Sequence, residues 1–190
     1  SISEYFLETG YDIIGVSRGP SSLEHGNYKH YSVDIRSYSD IRGLFREIRD
    51  RSSEIFGLIN NAGVITSMNS LIVPEASVEE MIDVNFKGAF FMTREAAKIM
   101  AKNKIGRIVN ISSMAAGLKP HGDSVYAATK AVLPVIGTVL TKEYYQLGIT
   151  CNTLGITHVE TQLSRKVDQK ALGKVIENLP MPRSATITDI

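Results

Sequence analysis

A tyrosine and a lysine four residues apart are the first residues in this chain whose spacing could perform chemistry. Tyr126 and Lys130 lie in the alanine-rich stretch YAATK, and side chains at i and i+4 share one face of a helix. A free phenol titrates near pH ~10, too high for proton exchange at neutral pH. A nearby ammonium favours the phenolate, so we expect the pKa of Tyr126 to be lowered. The alternative is two unrelated residues on a packing helix.

The predicted elements would bring other polar residues close to this pair. Apolar strands alternate with amphipathic helices, which indicates an α/β fold with a doubly wound parallel sheet and helices on both faces. In such sheets ligands bind beyond the carboxyl ends of the strands, where most of the unusual residues lie. The predicted strands cover residues 11–18, 29–35, 55–60, 106–112 and 148–154; the predicted helices cover 2–9, 37–51, 77–102, 124–147 and 160–179.

Composition narrows the possible function classes. The 190 residues fit one domain spanning 1–190, and a net charge of +1 gives no electrostatic footprint for nucleic acid. No run of about 18 apolar residues predicts a membrane span. The single Cys151 excludes an internal disulfide, and no Cys/His cluster has metal-ligand spacing. A cytoplasmic protein without a bound metal is expected.

Several short motifs in order resemble the short-chain dehydrogenase/reductase family. NNAG (residues 60–63) follows one strand, VNFKG contains Asn85, and NISS ends at Ser113, thirteen residues before Tyr126. The chain is similar to the compact single-domain branch that includes 3-oxoacyl-acyl-carrier-protein reductases and related carbonyl reductases. The resemblance implies a Rossmann-like fold and NAD(P)-dependent interconversion of a carbonyl and a secondary alcohol, with Tyr126 as acid/base.

The resemblance also implies a role for each motif residue. Ser113 would hold the substrate oxygen over the phenol, Lys130 would also bind the nicotinamide ribose, and Asn85 would position a water in a proton relay. Ser112 is the rival to Ser113, but the thirteen-residue spacing favours Ser113. Structural alternatives are a turn cap for Ser113, a buried amide for Asn85 and a solvated face for Lys130.

Cofactor contacts follow from the same resemblance. At the end of the second family strand, Ser17 replaces the acidic residue that would grip the ribose of NAD, and Arg18 comes next. A guanidinium suits a 2'-phosphate, so NADP is favoured over NAD. The remaining expected cofactor contacts are Asp34 to the adenine, Asn60, Ala62 and Gly63 beside the adenosine ribose, and Val159 and Thr161 at the carboxamide.

The chain departs from the family pattern in two ways. The first strand with its glycine-rich loop and the last strand are expected but absent, which suggests a sequence cut at both ends. In addition, Ile156-Thr157 replaces the usual Pro-Gly after the sixth family strand. Losing proline relaxes that loop, and losing glycine forbids easy positive φ.

The substrate is predicted only by class. Met114, Ala115, Leu118 and His121 would line a mostly apolar pocket, which suits a small-molecule carbonyl or alcohol, although His121 could simply be exposed in its loop. The long helices at 77–102 and 124–147 pair across subunits in the family, implying a homodimer or homotetramer. Alternatives are an inactive binding or scaffold protein that kept the fold and, less well matched by NNAG, a sugar-nucleotide epimerase.

Overall fold

Five parallel strands form the frame of the molecule. The structure, a computed structural model, describes residues 1–51, 54–159, 169–177, 179 and 181–189. In this part of the chain β1 pairs with β2, and β3, β4 and β5 form a second sheet in that order. The strands are β1 (Ile13–Ser17), β2 (Tyr28–Ser32), β3 (Gly57–Asn60), β4 (Gly106–Ser113) and β5 (Ile149–Ile156).

All strand pairs are parallel, and this fixes where functional side chains can meet. Ser17 pairs with Ser32, Asn60 with Asn110, and Ser113 with Ile156. Since parallel strands point the same way, the carboxyl ends of β3, β4 and β5 lie at one edge of their sheet. The expected Rossmann-like arrangement is confirmed, with its described strands divided between two sheets.

Seven α-helices accompany the strands in the part of the chain that the structure describes. They are α1 (Ile2–Glu8), α2 (Tyr38–Arg51), α3 (Glu75–Ile82), α4 (Ala89–Asn103), α5 (Ala115–Leu118), α6 (Ser124–Tyr144) and α7 (Gln169–Glu177). The described elements also include a π-helical turn at Asp83–Gly88 and short 3-10 turns at Tyr145–Leu147 and Ile187–Asp189. Helix α4 packs on β3 and β4, whereas α6 packs on β4 and β5.

The main core lies between α2, α4 and the larger sheet. The four apolar residues of α2 that recur at helical spacing are all buried, and they meet buried residues of α4, β4 and β5. Burial of such a stripe is what stabilises an amphipathic helix on a sheet. The α2 residues are Ile41, Leu44, Phe45 and Ile48, and their partners include Met92, Ala96, Met100, Ile108 and Ile149.

The helical stretch predicted at 77–102 is present, but it is not one regular α-helix. The chain forms α3, then a π-helical turn at Asp83–Gly88, and then α4. Two contacts are made at this turn. The Asn85 side chain hydrogen-bonds the main chain of Val64. Gly88 lies against Ile35, and a Cβ at position 88 would come within 2.8 Å of Ile35 Cδ1. The apolar periodicity continues through the turn and therefore hides it.

Other element boundaries differ by a few residues from those predicted. The strand expected at 55–60 begins at Gly57, and the strand expected at 148–154 runs on to Ile156. Of the helix predicted at 160–179, the structure describes α7, while residues 160–168 lie outside the described part.

One helical stretch, Ser124–Leu147, is long and apolar enough to cross a membrane by length and composition alone. The sequence shows no unbroken apolar run in this stretch, because polar residues interrupt it. In the fold, α6 packs against β4 and β5. A helix in a protein core can have the same length and apolar composition as a helix that crosses a membrane.

Candidate active site

Ser113 and Tyr126 meet where the end of β4 faces the first turns of α6. The Tyr126 side chain is buried, and its phenol lies close enough to the Ser113 hydroxyl for that hydroxyl to lower the pKa of the phenol. The Ser113 Oγ also accepts a hydrogen bond from the Ala115 N–H at 3.2 Å. Ser112 points elsewhere, because its hydroxyl donates to the Lys130 carbonyl oxygen at 2.7 Å. Of the two serines, Ser113 is therefore the one beside the phenol.

Lys130 lies one helical turn after Tyr126 and is only 4% exposed. Its Nζ donates to the Ile111 carbonyl oxygen at 2.8 Å, which leaves two ammonium hydrogens for other acceptors. Burial lowers the pKa of Lys130 to about 8, because desolvation disfavours the charged form. The structure therefore excludes the solvated-face alternative for this lysine.

Asn85 occupies the centre of the π-helical turn and is 1% exposed. Its Oδ1 accepts the Val64 N–H at 2.8 Å, while its Nδ2 donates to the Val64 carbonyl at 2.9 Å and to Thr129 Oγ1 at 3.0 Å. The Thr129 hydroxyl in turn donates to the Tyr126 carbonyl at 2.8 Å. Asn85 thus ties the segment after β3 to the helix of Tyr126.

The expectation that the pKa of Tyr126 would be lowered is wrong for this structure. Burial of the phenol, the largest cause, raises its pKa, and the charge of Asp123 raises it further, while the hydrogen bond from Ser113 acts in the opposite direction. The Lys130 ammonium is directed at the Ile111 carbonyl. Burial of the phenol could not be read from the spacing of the two residues.

The end of β1 carries the residues predicted to discriminate between cofactors. Ser17 Oγ donates to the Gly19 carbonyl at 2.8 Å and lies 3.2 Å from His30 Nε2. Arg18 is largely exposed, with its NH1 3.6 Å from Glu80 Oε1 on α3. Arg18 therefore already has an anionic neighbour in this structure.

Asp34 follows β2 and is engaged by Arg36. Its carboxylate accepts the Arg36 main-chain N–H at 3.0 Å and the guanidinium Nε at 2.9 Å. The side-chain hydrogen bond from Arg36 is the main cause that lowers the pKa of Asp34. The predicted contact with an adenine stays a prediction.

The segment that follows β3 meets Asn85 and Lys130 mainly through its main chain. The Asn60 side chain is turned into the fold, where its Nδ2 donates to Asn110 Oδ1 at 2.8 Å and to Thr93 Oγ1 at 2.9 Å. Ala62 is exposed. Gly63 faces the reactive groups, since a Cβ there would lie 3.2 Å from Lys130 Nζ.

The residues expected to line a substrate pocket differ in their surroundings. Ala115 is buried in a small cluster with Tyr126, and Met114 Sδ accepts a hydrogen bond from the Thr157 hydroxyl at 3.3 Å. Leu118 and His121 are exposed. Of the two expected carboxamide contacts, Val159 bridges to Ala185, and Thr161 lies outside the described residues.

Asp123 is a site neighbour that sequence reasoning missed. It is the N-cap residue of α6 and is 6% exposed, and the Ser67 hydroxyl lies close enough to its carboxyl group to lower the pKa of that group. Burial raises the pKa of its carboxyl. The available signal was its position, because a residue three before Tyr126 lies one helical turn away.

The residues fit a nicotinamide cofactor at its ribose end. Glycine at position 63 leaves space between the main chain after β3 and the side chains of Lys130 and Asn85, since a Cβ would lie 3.2 Å from Lys130 Nζ and 3.4 Å from Asn85 Oδ1. Lys130 retains two free donors beside this space, which suits ribose hydroxyls. The donor set is therefore chemically appropriate for that group.

Comparison with known proteins identifies the family. The sequence profile described as short chain dehydrogenase matches residues 1–172. This chain belongs to the short-chain dehydrogenase family. The chain is 36% identical over 148 residues to sorbitol-6-phosphate 2-dehydrogenase of Klebsiella pneumoniae, covering 72% of this chain and 55% of the relative. It is 30% identical over 168 residues to human (3R)-3-hydroxyacyl-CoA dehydrogenase, covering 86% and 64%.

Solved structures of other family members share the fold. A 4-hydroxyisoleucine dehydrogenase complexed with NADH superimposes with a TM-score of 0.81 at 25% identity, covering 98% of this chain and 78% of the other. ElxO with NADP bound gives a TM-score of 0.86 at 22% identity, covering 97% and 80%. The chain spans 55% to 65% of the length of four curated relatives that it matches, each named a reductase or a dehydrogenase.

Proposed function

We propose that this short-chain dehydrogenase interconverts a carbonyl and a secondary alcohol with NAD(P), and that Tyr126 is the acid/base. The observation that carries the proposal is the buried Tyr126 phenol with the Ser113 hydroxyl beside it. The Lys130 ammonium lies one turn further along the same helix, beside Gly63. Membership of a family whose relatives are named dehydrogenases and reductases supports this reaction class.

Each polar group has a separate task in this mechanism. When bound, the nicotinamide supplies or accepts the hydride. The Ser113 hydroxyl orients the substrate oxygen, and the Tyr126 phenol gives that oxygen a proton during reduction or removes one during oxidation. Burial of the phenol keeps bulk water from competing for this transfer.

Lys130 and Asn85 hold the surroundings of the phenol. Lys130 keeps two donors free for ribose hydroxyls or a water after bonding the Ile111 carbonyl. Asn85 fixes both main-chain polar groups of Val64, and one lone pair on its Oδ1 remains to position a relay water. The π-helical turn favours this assignment, since such turns occur frequently at functional sites.

We favour NADP over NAD as the cofactor. Arg18 follows β1, and the neutral Ser17 stands where an acidic side chain would repel a 2'-phosphate. A guanidinium recognises phosphate by charge and by paired N–H donors. Glu80 opposes this preference because it lies 3.6 Å from the Arg18 guanidinium.

The substrate class, assembly and location complete the proposal. Apolar Ala115, which packs in one cluster with Tyr126, and its neighbour Met114 suit a small organic carbonyl or alcohol. Phe90 on α4 is partly exposed and Val135 on α6 is 61% exposed, and such apolar surface suits a homodimer or homotetramer. The proposed location is the cytoplasm. Light scattering of the intact protein checks the assembly, and a monomer at micromolar concentration would refute it.

The alternative function is a binding or scaffold protein that kept the fold without turnover; the replacement of Pro-Gly by Ile156-Thr157 motivates it. The test mixes the intact protein with NADPH, or with NADH, and a panel of aldehydes and ketones, and follows the reduced-cofactor fluorescence. We expect protein-dependent loss of fluorescence with at least one carbonyl. Saturable cofactor binding without consumption across the panel would favour the scaffold.

A further inference from the structure

Asp123 is the one buried side chain in the described part of the chain that has a polar atom without a partner. Its Oδ1 is buried and receives no hydrogen bond. The Ser67 hydroxyl lies near the same carboxyl group, and the side chain makes no capping bond at the start of α6. Placing a carboxylate in this way is costly, so a structural role alone explains it poorly.

The position of Asp123 relates it directly to the proposed acid/base. The Ala127 N–H donates to the Asp123 carbonyl at 2.7 Å, so α6 turns regularly from Asp123 onward. Asp123 and Tyr126, at i and i+3, then lie on neighbouring positions of one helix face. Lys130 lies one turn beyond Tyr126 on the same helix. Along α6, Tyr126 therefore follows a buried aspartate by one helical turn and precedes a buried lysine by one turn.

The other charged groups around Asp123 are exposed or paired. Segment 64–74 and α5 contain no titratable side chain. In the loop before Asp123 and on α3, four groups are exposed to solvent, and a fifth, Glu80, lies in the ion pair with Arg18. The four exposed groups are Lys119, His121, Glu75 and Glu79.

We propose that Asp123 is a positioning residue whose buried carboxylate, one helical turn before Tyr126, disfavours ionisation of the Tyr126 phenol. A carboxylate disfavours a second negative charge nearby, and a low-dielectric site strengthens that effect. The protonated phenol is the form that donates to a substrate carbonyl oxygen, so Asp123 extends to higher pH the range in which Tyr126 can act as the acid. This consequence for catalysis rests on the proposed function, whereas the coupling between Asp123 and Tyr126 does not.

The test is a direct titration of the Tyr126 phenol that needs no turnover. Phenolate absorbance is followed against pH in the intact protein and in Asp123→Asn, and the same titration of each protein carrying Tyr126→Phe is subtracted. Aspartate is ionised in the alkaline range where a phenol titrates. We expect the Tyr126 pKa to fall by about one unit in Asp123→Asn. An unchanged titration would overturn the proposal.

Two further variants separate charge from structure. Ser67→Ala removes the partner of the carboxyl but keeps its charge, so the Tyr126 titration should stay near that of the unmodified protein; a shift as large as in Asp123→Asn would mean a structural effect and overturn the proposal. Glu79→Gln removes an exposed charge and should shift nothing. If Asp123→Asn fails to fold by circular dichroism, Asp123→Ser removes the same charge with a smaller side chain.

Turnover adds a second readout. If the enzyme oxidises alcohols, the rise of kcat/KM with pH should move to lower pH in Asp123→Asn by the same amount as the phenol titration. A shifted titration in a protein that turns over no substrate would support the Asp123 coupling and refute the proposed function. The two proposals therefore fail separately.

Discussion

Replacing Lys130 by methionine should stabilise the protein while removing its proposed function. The pKa of Lys130 falls from its ordinary 10.5 to about 8 because the ammonium is buried. Each unit corresponds to about 1.4 kcal/mol, so below pH 8 the buried charge costs roughly 3 kcal/mol of stability. The lost hydrogen bond to Ile111 offsets about 1 kcal/mol. We expect Lys130→Met to be more stable at pH 7 by about 2 kcal/mol.

The pH dependence follows from the direction of the shift. Between pH 8 and 10.5 the unfolded chain keeps the Lys130 proton while the folded chain has released it. Stability rises with pH wherever the unfolded state binds more protons. The stability of the unmodified protein should therefore gain on that of Lys130→Met by about 3 kcal/mol across this window, and their difference at pH 7 should reverse by pH 10.5.

Urea unfolding of both proteins at pH 7, 8, 9 and 10 measures this difference. Lys102→Met is the matched control, because Lys102 is an exposed lysine on α4, and its stability difference should not change with pH. A Lys130→Met protein that is less stable at pH 7, or a difference that stays constant with pH, would refute the reasoning.

Two further predictions follow from local geometry. Gly148 has φ +71°, and a Cβ there would overlap the carbonyl oxygen of the residue after α4, so Gly148→Ala should lower the free energy of unfolding in urea by more than about 1 kcal/mol. Gly19→Ala, in open space, is its control, and equal losses would contradict the argument. Glu80→Gln removes the anionic neighbour of Arg18 and should raise the preference for NADPH over NADH by about two- to fivefold in a fluorescence titration; Glu79→Gln should leave it unchanged, and no difference between the two variants would refute the competition.

Local patterns predicted much of the fold. The spacing of Ile41, Leu44, Phe45 and Ile48 identified α2, and all four are buried. The π-helical turn at Asp83–Gly88 could not be predicted, because its cause is the contact of Asn85 with Val64, 21 residues away. Long-range hydrogen bonds of this kind leave no periodic signal in the sequence.

The positions of the candidate site residues could be predicted more fully than the directions of their pKa shifts. The spacing of Tyr126 and Lys130 predicted two residues one turn apart on one helix, and both are buried there, with Ser113 beside the phenol; the catalytic roles of the three stay predictions. The direction of the Tyr126 pKa shift was predicted incorrectly because it depends on burial, a property of the packed molecule. Asp123 was missed because an aspartate before a helix ordinarily reads as a capping residue, and here it makes no side-chain capping bond.

The central claim is that the Tyr126 phenol exchanges a proton with the substrate. Its most direct test compares Tyr126→Phe with Tyr145→Phe, which changes an exposed tyrosine, in cofactor affinity and in turnover on the best carbonyl of the panel. We expect Tyr126→Phe to keep its cofactor dissociation constant within a few-fold and to lose turnover by about 10²-fold or more, while Tyr145→Phe keeps both. Turnover in Tyr126→Phe equal to that of the unmodified protein would contradict the account.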